Sequence, residues 1–303
     1  MLTTFGALAP IFLLIGLGWV LRARGFPGDA FWPGAELLVY WVLFPPLLLV
    51  TTASSDLTGF RILPIAVALI AAILVTAALT FTLRGRLGLD GAGFTSVFQA
   101  AIRNNTYVGL AGAAALYGEA GLAVMGIVVF VVVTLVNLLC VIVLVSHRGG
   151  VMRVRELLVS VAANPLIVTC VIGFTLNILG LGLFDLARSV LDILGSAALT
   201  LGLLCVGAGL DPARLGRNPP VVVAASALKL VVMPLTTWLF CRLLGVEGVT
   251  AATAVLFAAA PISVSAYVLA RQLGGDAPLM AGLITVTTIG AVITMPLVLA
   301  LLT

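Results

Sequence analysis

Charge is what this sequence has least of. Of 303 residues only 9% are Asp, Glu, Lys or Arg, against about 25% in soluble domains, which excludes a soluble globular domain. There is one histidine, His147, in a basic loop without a nucleophile motif or partner carboxylates, so no catalytic constellation is supported and the chain is not expected to be an enzyme. Cys140, Cys170, Cys205 and Cys241 each lie inside an apolar run with no C-x-x-C spacing. That speaks against a disulfide framework and a metal site, and they read as buried small apolar residues. Fifteen basic residues give a net charge of +4, but they are scattered between apolar runs and form no patch that would track a phosphate backbone, so nucleic acid is excluded as a partner. No basic residue precedes the first apolar run, and Arg22 and Arg24 follow it. This is the reverse of a cleaved signal peptide, and the run is expected to stay as a membrane span.

What the sequence does have is hydrocarbon: 62% of its residues are hydrophobic. A helix crossing a core of about 30 Å needs roughly 20 apolar residues, so the length fits about ten spans with short loops and no soluble domain. Apolar runs bounded by charge, Gly and Pro fall near 3–21, 35–53, 62–83, 95–117 and 121–146, then near 157–180, 188–210, 219–244, 249–272 and 277–302. The odd-numbered loops hold Arg22, Arg24, Arg84, Arg86, Arg148, Arg153, Arg155, Arg214, Arg217 and, at the edge of the last, Arg271. The even ones hold only Arg61, Arg188 and Arg242. This bias places the odd loops in the cytoplasm and both termini outside it. The expected localisation is multi-pass in the cell inner (plasma) membrane, with the lipid bilayer as partner and a homodimer compatible with the sequence.

Sliding the chain against itself by 155 positions superposes Pro10 on Pro165, Gly18 on Gly173, Asp56 on Asp211 and Pro64 on Pro219. A shift of 157 superposes Glu119 on Asp276 and Leu122 on Leu279. These matches suggest a duplication. A five-helix unit has an odd number of spans, so its second copy enters the membrane from the opposite side. The expected organisation is one repeat over 1–146, a cytoplasmic loop over 147–156 and an inverted repeat over 157–303. Inverted repeats recur in secondary transporters, where solute binds near the midplane at interrupted helices.

Two spans carry such interruptions. The fourth has Arg103, Asn104, Asn105 and Thr106 in a row at its middle, a costly set in lipid that favours an opened helix. The ninth has Pro261, Ile262 and Ser263 at matching depth, and Pro removes a helical hydrogen bond there. Thr106 and Ser263 are placed to cap the half-helices beyond, whose positive ends favour an anion. Ser265, Tyr107 and Tyr267 follow the breaks, and Gln99 precedes the first. Lys229, mid-span in the eighth helix, reads equally as a tie to backbone carbonyls at the breaks or as a substrate contact. Asn137 reads as interhelical glue, and Asp192 as interfacial. With no acidic residue at either break, the intramembrane charges Arg103 and Lys229 are both positive, which points to an anionic solute. The same segments read alternatively as hydrogen-bonding glue and a simple Pro bend.

Three stretches carry a family likeness: LFPPLLLVTTASSDL in the second span, ALTLGLLCVGAGLDP in the seventh and AAAPISVSAYVLARQLGGD in the ninth. They resemble the auxin efflux carrier family, in particular its bacterial malonate- or malate-permease-like members, over essentially the whole chain. The resemblance implies an all-α integral membrane protein of ten helices in two inverted five-helix repeats with crossed, interrupted helices 4 and 9. That plan is similar to sodium/proton antiporters and bile-acid symporters. It further implies a scaffold of helices 1, 2, 6 and 7, a transport domain of helices 3–5 and 8–10, and elevator-type alternating access for a small organic anion such as malonate, malate or an auxin-like acid. By match of position, its crossover site falls on Asn104, Asn105, Thr106, Pro261, Ile262 and Ser263. Plant members carry Asn-Pro at both crossovers; this chain lacks the first Pro and the second Asn, which speaks against auxin itself. With Arg103, Ser265, Tyr267 and Lys229, these residues form the candidate substrate site. No cofactor is implied, and H⁺ and Na⁺ are the candidate coupling ions. The competing readings are a sodium-coupled organic-anion symporter of bile-acid type and a membrane solute sensor that moves nothing.

Overall fold

A computed structural model describes residues 2–54, 62–147, 159, 162–214 and 218–303. Asp56, Arg61, Arg148, Arg153, Arg155, Arg217 and all of the 147–156 loop except His147 lie outside them.

Proline and glycine set where the helices bend and stop. Helix α1 (Leu2–Ala23) carries Pro10 inside it. Next come α2 (Phe31–Leu38), a π-helical turn over Val39–Leu43 and α3 (Phe44–Ser54), which together form one continuous run. The wide turn follows from Pro45 and Pro46: proline has no N–H and its ring presses on the carbonyl one turn back. Taking in one extra residue relieves this, and Phe44 N–H reaches the Val39 carbonyl instead. The device recurs before Pro234, where α9 (Pro219–Ala227), a π turn over Leu228–Val232 and α10 (Met233–Leu243) run together, with Met233 N–H on Leu228 O.

The remaining helices are α4 (Ile62–Arg86), α5 (Gly91–Ile102), α6 (Thr106–His147), α7 (Pro165–Ile178), α8 (Asp185–Ala208), α11 (Gly248–Ala259), α12 (Ser265–Leu273) and α13 (Ala277–Leu302). Within α6, Gly118 takes φ 56° and ψ −138°, a conformation open to glycine, so the expected fourth and fifth spans meet there without a loop. Side chains start several of the helices, α7 and α13 among them. Asn164 Oδ1 accepts from Leu166 and Ile167 N–H at 3.0 and 3.3 Å, and Asp276 Oδ1 accepts from Leu279 N–H at 2.9 Å.

Among the described residues seven helical runs are long and apolar enough to cross a membrane: Thr3–Ala23, Phe31–Ser54, Ile62–Arg86, Thr106–His147, Asp185–Ala208, Pro219–Leu243 and Ala277–Leu302. Their outer faces carry Leu13, Leu63 and Ile293, each at least 70% exposed, which only a lipid surround makes favourable. The chain is an all-α, multi-pass membrane protein. Asp192 lies in α8 and pairs with Arg188 one turn earlier at 3.8 Å.

Close packing rests on small residues, as expected where lipid removes the hydrophobic drive between helices. A Cβ at Gly18 of α1 would sit 2.1 Å from Leu204 O of α8, and one at Gly207 of α8 would sit 1.8 Å from Ile15 O. Helix α3 lies against α7 and α8 in the same manner, with Thr52 Oγ1 1.8 Å from a Cβ at Gly173 and Leu47 Cα 3.1 Å from one at Gly195. A second set, α4, α5, α6, α10, α11 and α13, packs around Phe98 and Phe257, with Gly109 admitting the Phe257 ring.

Because the Ile15 carbonyl is backbone and cannot swing aside, Gly207→Val is expected to cost about 1–3 kcal/mol. It should lower the thermal midpoint in detergent measurably. Gly6→Ala, with nothing within 4 Å of the added carbon, should stay within about 0.5 kcal/mol. Equal melting of the two variants would show that α1 and α8 are not in backbone contact.

Candidate functional site

The fourth span breaks where the polar run lies. Helix α5 ends at Ile102, and Arg103 is extended at φ −92° and ψ 107°. Asn105 starts the next helix, its Oδ1 accepting from Tyr107 and Val108 N–H at 3.1 and 3.2 Å. This corrects the expectation for Thr106. A cap must precede the N–H groups it serves by two or three positions, so Asn105 takes that role and Thr106 is the first helical residue. In the ninth span α11 ends at Ala259, and Ala260, preceding Pro261, is extended at ψ 146°, as a residue before proline tends to be. Ser263 does not cap α12 either: its hydroxyl meets that of Ser265 at 2.9 Å, while Ala266 and Tyr267 N–H bond the Ser263 and Val264 carbonyls at 3.1 and 3.0 Å.

The two breaks pair with each other. Asn105 N–H donates to Pro261 O at 2.8 Å and Ser263 N–H to Arg103 O at 3.3 Å, which sets Asn104 opposite Ile262 in an antiparallel bridge. Thr287 of α13 supplies the remaining acceptor, its hydroxyl 3.4 Å from Ile262 N–H. Each opened segment thus gives the other the partners its own helix lost.

Around this crossing the half-helices sort by polarity. Helices α5 and α11 point their carbonyl ends at it, and there sits the ammonium of Lys229, itself 0% exposed. It donates to Asn104 Oδ1 and, at 2.8 Å, to Ala258 O in the last turn of α11. A cation at a helix C-terminus is favoured by the helix dipole. Of the two roles open to Lys229, this geometry is that of a tie to a carbonyl at the break.

Helices α6 and α12 begin at the crossing and turn their N-terminal ends to a cavity of about 600 Å³. Arg103, Asn104, Thr106, Ser263 and Ser265 line it, joined by Tyr107, Asn137 and Phe257. Arg103 Nε donates to Ser265 Oγ at 3.3 Å and Cys140 lies beside the guanidinium, while Nη1 is buried without a hydrogen-bond partner. Among the described residues no carboxylate lies within ion-pair distance of Arg103. The serine thus holds the guanidinium by its inner edge.

Not every candidate reaches this cavity. Asn105, Pro261 and Ile262 are buried in the bridge, and Lys229 is sealed behind it. Tyr267 lines a second cavity of about 670 Å³ with Arg22, Asp29, Asp211, Arg214 and Arg271. Gln99 is 0% exposed, with neither end of its amide partnered.

Long apolar helices, two broken helices paired with each other and a cation facing a cavity agree with the family to which residues 3–299 match, described as membrane transport protein. The chain belongs to this family, the auxin efflux carriers. No curated protein matches the chain. A carrier fold accounts for helices broken inside an apolar core, since irregular backbone is tolerated at that depth only where it is buried in protein or lines a cavity.

In this carrier the sequence reading missed one charge. Glu36 lies in α2 at the head of the second span, partly buried, and lines both cavities. The expectation that the intramembrane charges are all positive is therefore corrected, while the breaks themselves carry no acidic residue. The signal was present, since Glu36 is the sole charged residue of that run. What hid it was the fold: it lies some seventy positions from the first break and over two hundred from the second, and the fold brings it to the same cavity. Tyr40 from the π turn and Gln272 from α12 were hidden in the same way.

Replacing Asn104 by Leu leaves the Lys229 ammonium one hydrogen-bond acceptor fewer in a dry site. The expected loss of unfolding free energy is about 2–3 kcal/mol, the range for a hydrogen bond to a charged group. In a Lys229→Met background the same replacement should cost at least about 1.5 kcal/mol less, read as the coupling in a double-mutant cycle in detergent. Additive losses would show that the two side chains do not share the bond.

Proposed function

We propose that this protein is a secondary carrier of small organic anions, of the short bacterial type, with dicarboxylates such as malonate or malate as its solutes. One observation carries the reading: Arg103 lines the cavity at the helix crossing, no carboxylate among the described residues lies within ion-pair distance of it, and Ser265 orients it. With Nε on Ser265 and Nη1 buried, Nη2 is the nitrogen left to meet an anion in the cavity, through a charge-assisted hydrogen bond.

The supporting plan has ten spans in two inverted repeats. Helices 1, 2, 6 and 7 act as scaffold, and helices 3–5 and 8–10 move against them as an elevator carrying the crossing. The segregation of close contacts into an α1–α3–α7–α8 set and an α4–α6–α10–α13 set favours that division. Both cavities are lined from the ends of odd-numbered loops, through Asp29, Asn164 and Gln272 among others. With those loops cytoplasmic by their basic bias, this conformation is the inward-facing one, and both termini lie outside the plasma membrane. Sodium coupling at the crossing is disfavoured because the Lys229 ammonium already occupies the acceptors an ion would use there.

Malonate and malate should raise the thermal midpoint of the purified protein and support counterflow of labelled solute in proteoliposomes. Arg103→Ala should raise KM for the transported anion about 10- to 100-fold, the equivalent of one or two charge-assisted hydrogen bonds, with the variant's own melting near that of the parent. An unchanged KM in a folded variant would remove Arg103 from the site. Binding without counterflow would identify a sensor rather than a carrier.

A further inference from the structure

Glu36 has no part in the anion site as drawn above, yet among the described carboxylates it alone borders both cavities. It stands in a membrane-spanning run, partly buried, and among the described residues no basic group lies within ion-pair distance of it. A carboxylate held there without a counter-ion bears a cost that its neighbours on the protein do not remove.

Its surroundings explain what would change that cost. From α6, Tyr107 lies in electrostatic reach of Glu36, and from α8 so does Cys205. Tyr40, one turn along its own helix run, faces the same cavity, and beyond it lies Arg103, whose charge Tyr40 feels. On the side of the second cavity, Arg22 is engaged with Asp29 at 3.6 Å and Arg214 with Asp211 at 3.2 Å. That leaves Arg271 and Tyr267 of α12 as the other ionisable groups on that wall. On the crossover side the charge without an ion-pair partner among the described residues is therefore Arg103, which lines the same cavity as Glu36.

We propose that Glu36 is a proton-binding site linked to the anion cavity. When it is ionised, its charge offsets that of Arg103 and repels an incoming carboxylate; when it holds a proton, the repulsion is gone and Arg103 is left to the solute. Two carboxylates that share one cavity disfavour each other's ionised forms, so anion and proton favour each other's binding, and by linkage each raises the affinity for the other by the same factor. The step is an association only: one proton from water joins one Glu36 oxygen as the anion binds, and leaves as it departs. This rests on the carboxylate-carrier reading of the cavity and goes beyond it by naming the group through which pH acts on it.

The test is malonate and malate binding to the purified wild-type protein and to Glu36→Gln between pH 6 and 8, by calorimetry in buffers of different ionisation enthalpy. For the wild type, affinity should fall about tenfold from pH 6 to pH 8 beyond what the solute's own ionisation explains. Binding at pH 7 should also take up a measurable fraction of a proton. In Glu36→Gln the affinity should lose this extra pH dependence, and the proton uptake should vanish. If Glu36→Gln does not fold, the wild-type proton uptake decides alone, with zero uptake overturning the proposal. Wild-type binding that is tight but free of proton uptake, or a Glu36→Gln variant that keeps it, sinks the role of Glu36 and leaves the carrier reading intact. No binding of either solute at any pH sinks the dicarboxylate reading beneath it as well.

Discussion

The structure depends on one reciprocal pairing, the antiparallel contact between the opened backbone of 103–105 and that of 261–263. Inside a hydrocarbon layer an unpaired peptide group costs several kcal/mol, so a single helix cannot open at mid-depth on its own. Two helices can, if each break presents donors and acceptors to the other. Asn105 N–H on Pro261 O and Ser263 N–H on Arg103 O meet that requirement, and Thr287 closes the remaining gap at Ile262. The sequence chemistry at the two breaks differs accordingly. In one an asparagine supplies the new helix's cap; in the other a proline removes a donor that would otherwise need a partner.

Once the backbones pair, the electrostatics follow. Each helix end carries roughly half an elementary charge. Crossing two broken helices brings two negative ends and two positive ends to one place. The protein separates them: the negative ends of α5 and α11 receive Lys229 on the dry side, and the positive ends of α6 and α12 open on the cavity with Arg103. Lys229 thereby has a structural reason to be a cation, because the acceptors at Asn104 and Ala258 would otherwise be unpaired. Arg103 has no such internal reason. Among the described residues no carboxylate lies within ion-pair distance of it, which is why the cavity reads as an anion site and Lys229 does not.

Much of this was legible beforehand. Low charge and long apolar runs are properties of single segments, and so are the two breaks, because Pro261 and the Arg103–Thr106 run offend helix geometry locally. The register of the cap was not: Asn105 and Thr106 are both good capping residues, and only the observed end of α5 at Ile102 tells them apart. Nor were the π turns, whose cause at Pro45 and Pro234 is local but whose effect is to shift register by one residue. Glu36 escaped for a different reason. A span's end is where a charge costs least, so its position looked harmless, and only the tertiary placement of α2, packed on α8, shows that it borders the cavity.

The distribution of contacts also bears on motion. Where α1 meets α8, glycine Cα atoms face backbone carbonyls, and no sliding is possible without breaking contacts that side-chain rotation cannot restore. Where α2 meets the crossing, two cavities of about 600 and 670 Å³ take the place of packed atoms. A displacement along that seam gives up fewer van der Waals contacts than one anywhere through the glycine-packed set. It also separates Glu36, on one side of the seam, from Arg103 on the other. The movement proposed for the crossing would thus change what the site's arginine faces, and would tie the position of the crossing to the occupant of the cavity without a relay of side chains.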